Sequence, residues 1–306
     1  MQPYQPANKA PLPGLLLLTL TALVGGVAIG GIVSFVSRLI YLIILFPIGM
    51  GFAGGAAVMV MVKRGKVRFP LVAAAFGALT ALLLYGSLHY FDYLAFRSEA
   101  QTYLADQLRP DYGEIEPARL QELVDAVLVG EVGQPGFVGY ILLEAREGVS
   151  IGEVGRDTSV NLGPFFTWVY WLVELGIITF LAVTLPWKAA SQPFCETHDR
   201  WYSLPRHLGS VGPAQSGNLI TLLRSGNFTQ AGESLQPSLP LPCVQVHIES
   251  CPDCATSDSR LRVEAVALDR RGRRQTRQIL KGMLSPFQRA DLMRGLAARP
   301  DHMPSS

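Results

Sequence analysis

The sequence predicts a multi-pass α-helical membrane protein with four transmembrane helices and a small cytoplasmic α+β, zinc-ribbon-like C-terminal domain. Three observations predict it. Four apolar runs are each long enough to cross a bilayer. Basic residues gather on one side of those runs. Two Cys/His pairs stand far apart in the polar tail. Hydrophobic residues make up 49% and charged residues 16% of the 306 positions, yet long stretches are polar. The apolar residues are therefore concentrated rather than spread. Four cysteines exclude a disulfide scaffold.

The opening MQPYQPANKAPLPG is polar and Pro-rich. It lacks a charged leader region and a small-residue cleavage motif, so the first apolar run is expected as a retained helix. Residues 1–12 form an N-terminal tail. A bilayer core of ~30 Å needs about 20 apolar helical residues. The run from Leu12 to Val62 is more than twice that and breaks only at Ser37-Arg38. It reads as a tight hairpin of two spans, 13–35 and 40–62. A third span covers 70–89, within a 13–91 block, and a fourth covers 164–187.

Orientation follows the basic flanks. Lys63, Arg64, Lys66 and Arg68 lie between spans two and three, Lys188 follows span four, and Lys9 precedes span one. The segment 92–163 holds 13 acidic and 5 basic residues and is placed outside. Both termini are thus expected in the cytoplasm, in a cell membrane of bacterial inner-membrane type. Aromatic clusters at His89–Tyr93 and Phe165–Trp171 fall at one outer interface, where amphipathic rings prefer to sit.

Gly26 and Gly30, Gly51 and Gly55, and Ala73 and Gly77 are each four apart, on one helical face. Such faces let helix backbones approach closely. Packing within the four-helix unit is the favoured use, and a homodimer seam the alternative. Pro47 with Gly49 and Gly51 predicts a kink in span two. Outside, a helical extension of span three to Leu108, a helix over 116–128, a short helix or strand over 137–145 and a Gly-rich loop over 148–163 are expected. This acidic segment reads as a cap.

Glu174 lies near the middle of span four. A charged side chain there costs ~2.5–3.5 kcal/mol on insertion scales. Either it is a neutral carboxyl bonded to a neighbouring helix, the favoured reading, or it is the proton or cation site of a small carrier. Arg38 is the nearest conceivable charged partner, though it sits at the outer end of its hairpin.

The tail, 188–306, is read as a cytoplasmic Cys/His domain. It opens with Cys195-x-x-His198 and later carries Cys251-x-x-Cys254. Two residues between ligands let both reach one ion from a tight turn, and four N/S donors close the tetrahedral shell of structural zinc. Cys243 and His247 are stand-ins. Strands over 244–248, 261–268 and 275–281, short helices over 215–223 and 227–235, and a last helix from Pro286 capped by Ser285 complete the domain. A redox dithiol at Cys251/Cys254 is the rival use, and a membrane thiol oxidoreductase the function it implies. The tip Arg270, Arg271, Arg273 and Arg274 is a solvated turn or, less favoured, a contact for lipid headgroups. Nucleic acid is the weaker option because no aromatic residues interleave the arginines.

No Walker loop or H-E-x-x-H helix is present. The expected function is therefore non-enzymatic: a membrane scaffold or sensor whose zinc domain meets a cytoplasmic protein partner. The carrier using Glu174 is the runner-up.

Overall fold

A computed structural model describes residues 1–38, 44–148, 150–152, 159–161, 163–254 and 257–298. The chain falls into two compact units, Lys9–Ala190 and Ser191–Ser306, and Met1–Asn8 belongs to the second.

The first unit is helical. Helix α1 (Leu12–Leu20) runs through one π-turn into α2 (Gly26–Ser37), forming a single rod. Helices α3 (Leu45–Arg64), α4 (Pro70–Tyr112) and α7 (Gly163–Ala190) follow. The rod and these three helices are each long and apolar enough to cross a membrane. Their pattern is inverted relative to a water-soluble bundle. Leu16, Leu20, Phe35, Phe52, Leu71, Leu172 and Phe180 are exposed, whereas Ser34, Thr80, Thr167 and Glu174 are buried.

Small residues set the helix contacts. A side chain on Gly26 would meet Leu83 and the Thr80 carbonyl, one on Gly30 the Leu84 carbonyl, and one on Gly77 the Ala182 carbonyl. On α3, Gly51 lies against Ile178 and Gly55 against Leu181. The glycine faces are thus occupied inside the unit, as close backbone packing requires. Two expectations change here. Span two starts at Leu45 among the described residues, and Ile40 lies outside them. Pro47 therefore sits in the first helical turn, where its missing N–H has no intrahelical partner to lose, and no mid-helix break results.

Helix α4 is 43 residues, about 65 Å at the α-helical rise, so it continues well beyond a bilayer thickness. It passes Pro110 and stops before Gly113, whose φ is 72°. Helix α5 (Pro117–Val132) ends at left-handed Gly133 and is bent by 45° from α6 (Gly136–Glu147). Segment 137–145 is therefore helix, not strand. Tyr93 packs its ring against Phe137 and Tyr140 of α6, 5.8 Å from each. The stretch read as a Gly-rich loop holds two short paired strands, β1 (Ser150–Gly152) and β2 (Ser159–Asn161).

The second unit is an antiparallel sheet in the order β5-β6-β7-β8. Its strands are β5 (Arg206–Val211), β6 (Cys243–Glu249), β7 (Ser259–Leu268) and β8 (Arg274–Leu284). Alternation puts Val244 and Val246 of β6 with Leu261 and Val263 of β7 in one core. Helices α8 (Ser216–Ser225), α9 (Phe228–Glu233) and α10 (Pro286–Ala297) cover it through Leu219, Leu223, Phe228 and Leu292. Gly232 and Gly295 let α9 and α10 touch backbone to backbone. Ser285 and Gln288 form a reciprocal capping box on α10. Strand β5 and three helices make this core larger than that of a bare strand pair with a knuckle. At the other edge, Gln2 pairs with Met283, whose N–H donates to the Gln2 carbonyl at 2.8 Å.

Candidate metal centre

Two local turns build the site. Strands β3 (Phe194–Cys195) and β4 (Arg200–Trp201) form a short hairpin. Asp199 takes a left-handed backbone, φ 48°, which closes the turn tightly enough to carry His198 back toward Cys195. Phe194 and Trp201 pack edge to face at 5.0 Å beneath it. The second turn, Cys251-Pro252-Asp253-Cys254, links β6 to β7, and the Cys254 N–H donates to the Cys251 carbonyl at 3.4 Å.

Polar ties clamp one turn to the other. The N–H and hydroxyl of Ser203 donate to the Ser250 carbonyl at 3.0 and 2.9 Å. Tyr202 donates to the Asp258 carbonyl at 2.7 Å, and Arg200 pairs with Asp253. The donor atoms of Cys195, His198 and Cys251 consequently lie within 4.8 Å of one another. Cys195 Sγ stands 3.6 Å from His198 Nδ1. A tetrahedral zinc with Zn–S near 2.3 Å and Zn–N near 2.05 Å has an S···N edge of about 3.6 Å. Cys254 packs with Cys195 and Cys251 in one buried cluster but lies outside the three-residue donor group.

The three cysteines are buried and His198 is exposed at the rim. Burial pushes the Cys251 thiol above its ordinary value. Burial acts on Cys195 in the same direction, but hydrogen bonds from the His198 side chain and backbone outweigh it, and the thiol lies below its usual range. The bond with Cys195 raises the His198 imidazole. A metal ion bound here would compete with protons for both groups, so its binding would release protons.

Neither stand-in joins. Cys243 starts β6 and Cys251 lies past its end, so an extended strand of about 20 Å separates them. His247 points to the opposite sheet face, beside His207 and 3.9 Å from Glu264. All four cysteines are free thiols, and the Cys251–Cys254 turn joins two strands rather than a strand to a helix.

The remaining sites fall elsewhere. Glu174 is 4% exposed. It accepts hydrogen bonds from Tyr85 at 3.1 Å and Tyr170 at 3.5 Å. Tyr170, one helical turn before it, was legible as a same-face neighbour; Tyr85, on another helix, was not. At the basic tip, Asp269 accepts from the N–H groups of Arg271 and Arg273, both at 2.8 Å, and from Arg273 Nε at 2.9 Å. Arg274 donates to Gln245 at 2.8 Å, and Gly272 has φ 73°. Arg270 lies between the capping Asp269 and Arg271 in this turn, an Asx-capped hairpin with two of its arginine side chains engaged.

Compared with known protein families, curated proteins and solved structures, the chain matches none.

Proposed function

We propose that this chain is a four-crossing membrane protein whose tail is a zinc-stapled cytoplasmic domain, serving as a scaffold or sensor rather than an enzyme. The observation that carries this reading is the meeting of Cys195 and His198 with Cys251, beside Cys254, from turns far apart in sequence. Three thiols and one imidazole are the donor set of a closed structural zinc site, which leaves no open position for a substrate.

The inverted surface of the helical unit supports the membrane reading. Exposed leucines and phenylalanines around buried hydroxyls suit a solvent of lipid chains. The bent pair α5 and α6 is long and apolar enough for a span only when taken together. Counting it would give five crossings. The pairing of Gln2 with Met283 argues against that, because a tail and a domain sharing one sheet edge belong on one side, which requires an even number. The basic flanks make that side the cytoplasm.

Metal analysis of the full-length protein, purified from membranes in detergent, tests the centre. About one zinc per chain is expected for a closed four-ligand site. Cys251→Ser should lose it and Cys243→Ser should keep it. Freely reacting thiols with no bound zinc would overturn the proposal.

A further inference from the structure

Two open recesses adjoin in the helical unit. The first has a volume of about 380 Å³ and polar walls. Arg38, just past α2, lines it with Asp92 of α4, Glu144 and Glu147 of α6, and Glu174 of α7. The second is about 290 Å³ and almost wholly apolar. Its walls include Gly86 of α4, Phe137 and Ile141 of α6, and Trp168 and Leu172 of α7. His89 and Trp171 line both recesses, so the two share these rings as a common wall.

The polar recess is unbalanced in charge, with one guanidinium among four carboxyls of the described residues. Such a surface attracts cations and repels a purely anionic group. Asp92 accepts from Ser34 at 2.6 Å and stands 3.9 Å from Arg38, and Glu144 accepts from Tyr140 at 2.6 Å. A carboxylate offers about four lone-pair positions, so both keep capacity for a further donor. Glu174 is already engaged by protein groups, Tyr85 and Tyr170 among them, and is not needed as a ligand.

Two independent features point to an occupant that is partly apolar. A side chain on Gly86 would meet nothing within 4 Å, so the second recess is open space rather than filled packing. Trp168 and Leu172 on its rim are exposed, as lipid-facing side chains are. At the shared wall, His89 is set edge to face against Tyr85 and Trp171. Its Nδ1 is buried and has no hydrogen-bond partner among the described residues. A buried polar atom of this kind is destabilising unless water or a ligand satisfies it.

We propose that the paired recesses bind one phospholipid with a primary-amine head. The ammonium donates to Asp92 and Glu144, and the phosphate lies beside Arg38. The ester groups pass His89, and one acyl chain lies along the apolar recess. A primary ammonium has three N–H donors, enough to make charge-assisted bonds to two carboxylates at once. A trimethylated choline head has no N–H to give, and a glycerol head has no cation to offset the surplus acid.

This proposal rests on the membrane reading of the helices, which recovery of the chain in the membrane fraction tests by itself. The direct test is native mass spectrometry of the full chain in mild detergent, with dioleoyl phosphatidylethanolamine, phosphatidylcholine and phosphatidylglycerol added in equal amounts. The amine lipid should be retained at about one per chain, at least about tenfold over either of the others. Asp92→Asn and Glu144→Gln, made singly to spare the fold, should each cut that preference at least about threefold. Gly86→Leu, which fills the apolar recess, should weaken retention of the amine lipid about tenfold. Equal retention of the three lipids by a chain that does reside in the membrane would overturn the proposal and leave the membrane reading standing. A preference that survives both carboxyl variants, or retention that Gly86→Leu leaves unchanged, would also overturn it.

Discussion

His247 illustrates how single side chains on the tail's polar sheet face are tuned. Burial holds its imidazole below the ordinary value; Glu264 opposes that, while His207, Arg262 and Arg274 add to the lowering. The folded domain therefore binds fewer protons there than the unfolded chain does. Stability from this residue is complete above about pH 6.5 and is lost as pH falls toward the lower folded value. His247→Gln should flatten that part of the pH–stability profile, measured by urea unfolding at pH 5.5 and 7.5; an unchanged profile would count against the assignment. Beside it, Glu249 is 4% exposed and meets both Arg260 and Arg262. That network was not legible from the sequence. The alternation of β6 and β7 marks an acidic and a basic position on one face, but which pairs face each other depends on strand register.

For the helices, the decisive feature is where backbone meets backbone. Gly77 faces the Ala182 carbonyl with no room for a methyl group, whereas Gly86 meets nothing within 4 Å. Gly77→Ala should destabilise the unit by about 1–3 kcal/mol, the usual range for overpacking. Gly86→Ala should be tolerated. Thermal unfolding in detergent, compared between the two variants, checks the contrast. The four-residue spacing made these glycine faces visible in advance, because a helix of 3.6 residues per turn aligns such positions whatever surrounds it. Strand β5 is not legible in the sequence for the opposite reason. Arg206-His207-Leu208-Gly209-Ser210-Val211 is short and carries a bulge between His207 and Gly209, so its alternation is broken.

Across the whole molecule, the pairing of Gln2 with Met283 ties the first residues of the chain to the last strand of the tail. Reporter fusions at the two ends should therefore respond on the same side of the membrane, and both should be inactive as exported enzymes. Opposite behaviour at the two ends would require an odd number of crossings. Deleting residues 2–5 should also raise protease sensitivity near Cys195, since Gln2 and Tyr4 line a recess of about 370 Å³ with Phe194, Cys195 and Tyr202.

Residue order alone was enough to mark four long apolar helices and two turns each able to offer a pair of metal donors. Those properties are local: they follow from the length of apolar runs and the reach of side chains two residues apart. Only the folded arrangement decided that Cys195 and His198 meet Cys251 rather than Cys243, and that Glu174 rests on Tyr85 and Tyr170 beneath a polar recess. Those outcomes depend on distances between residues remote in the chain, which strand register and helix packing fix and no local pattern encodes.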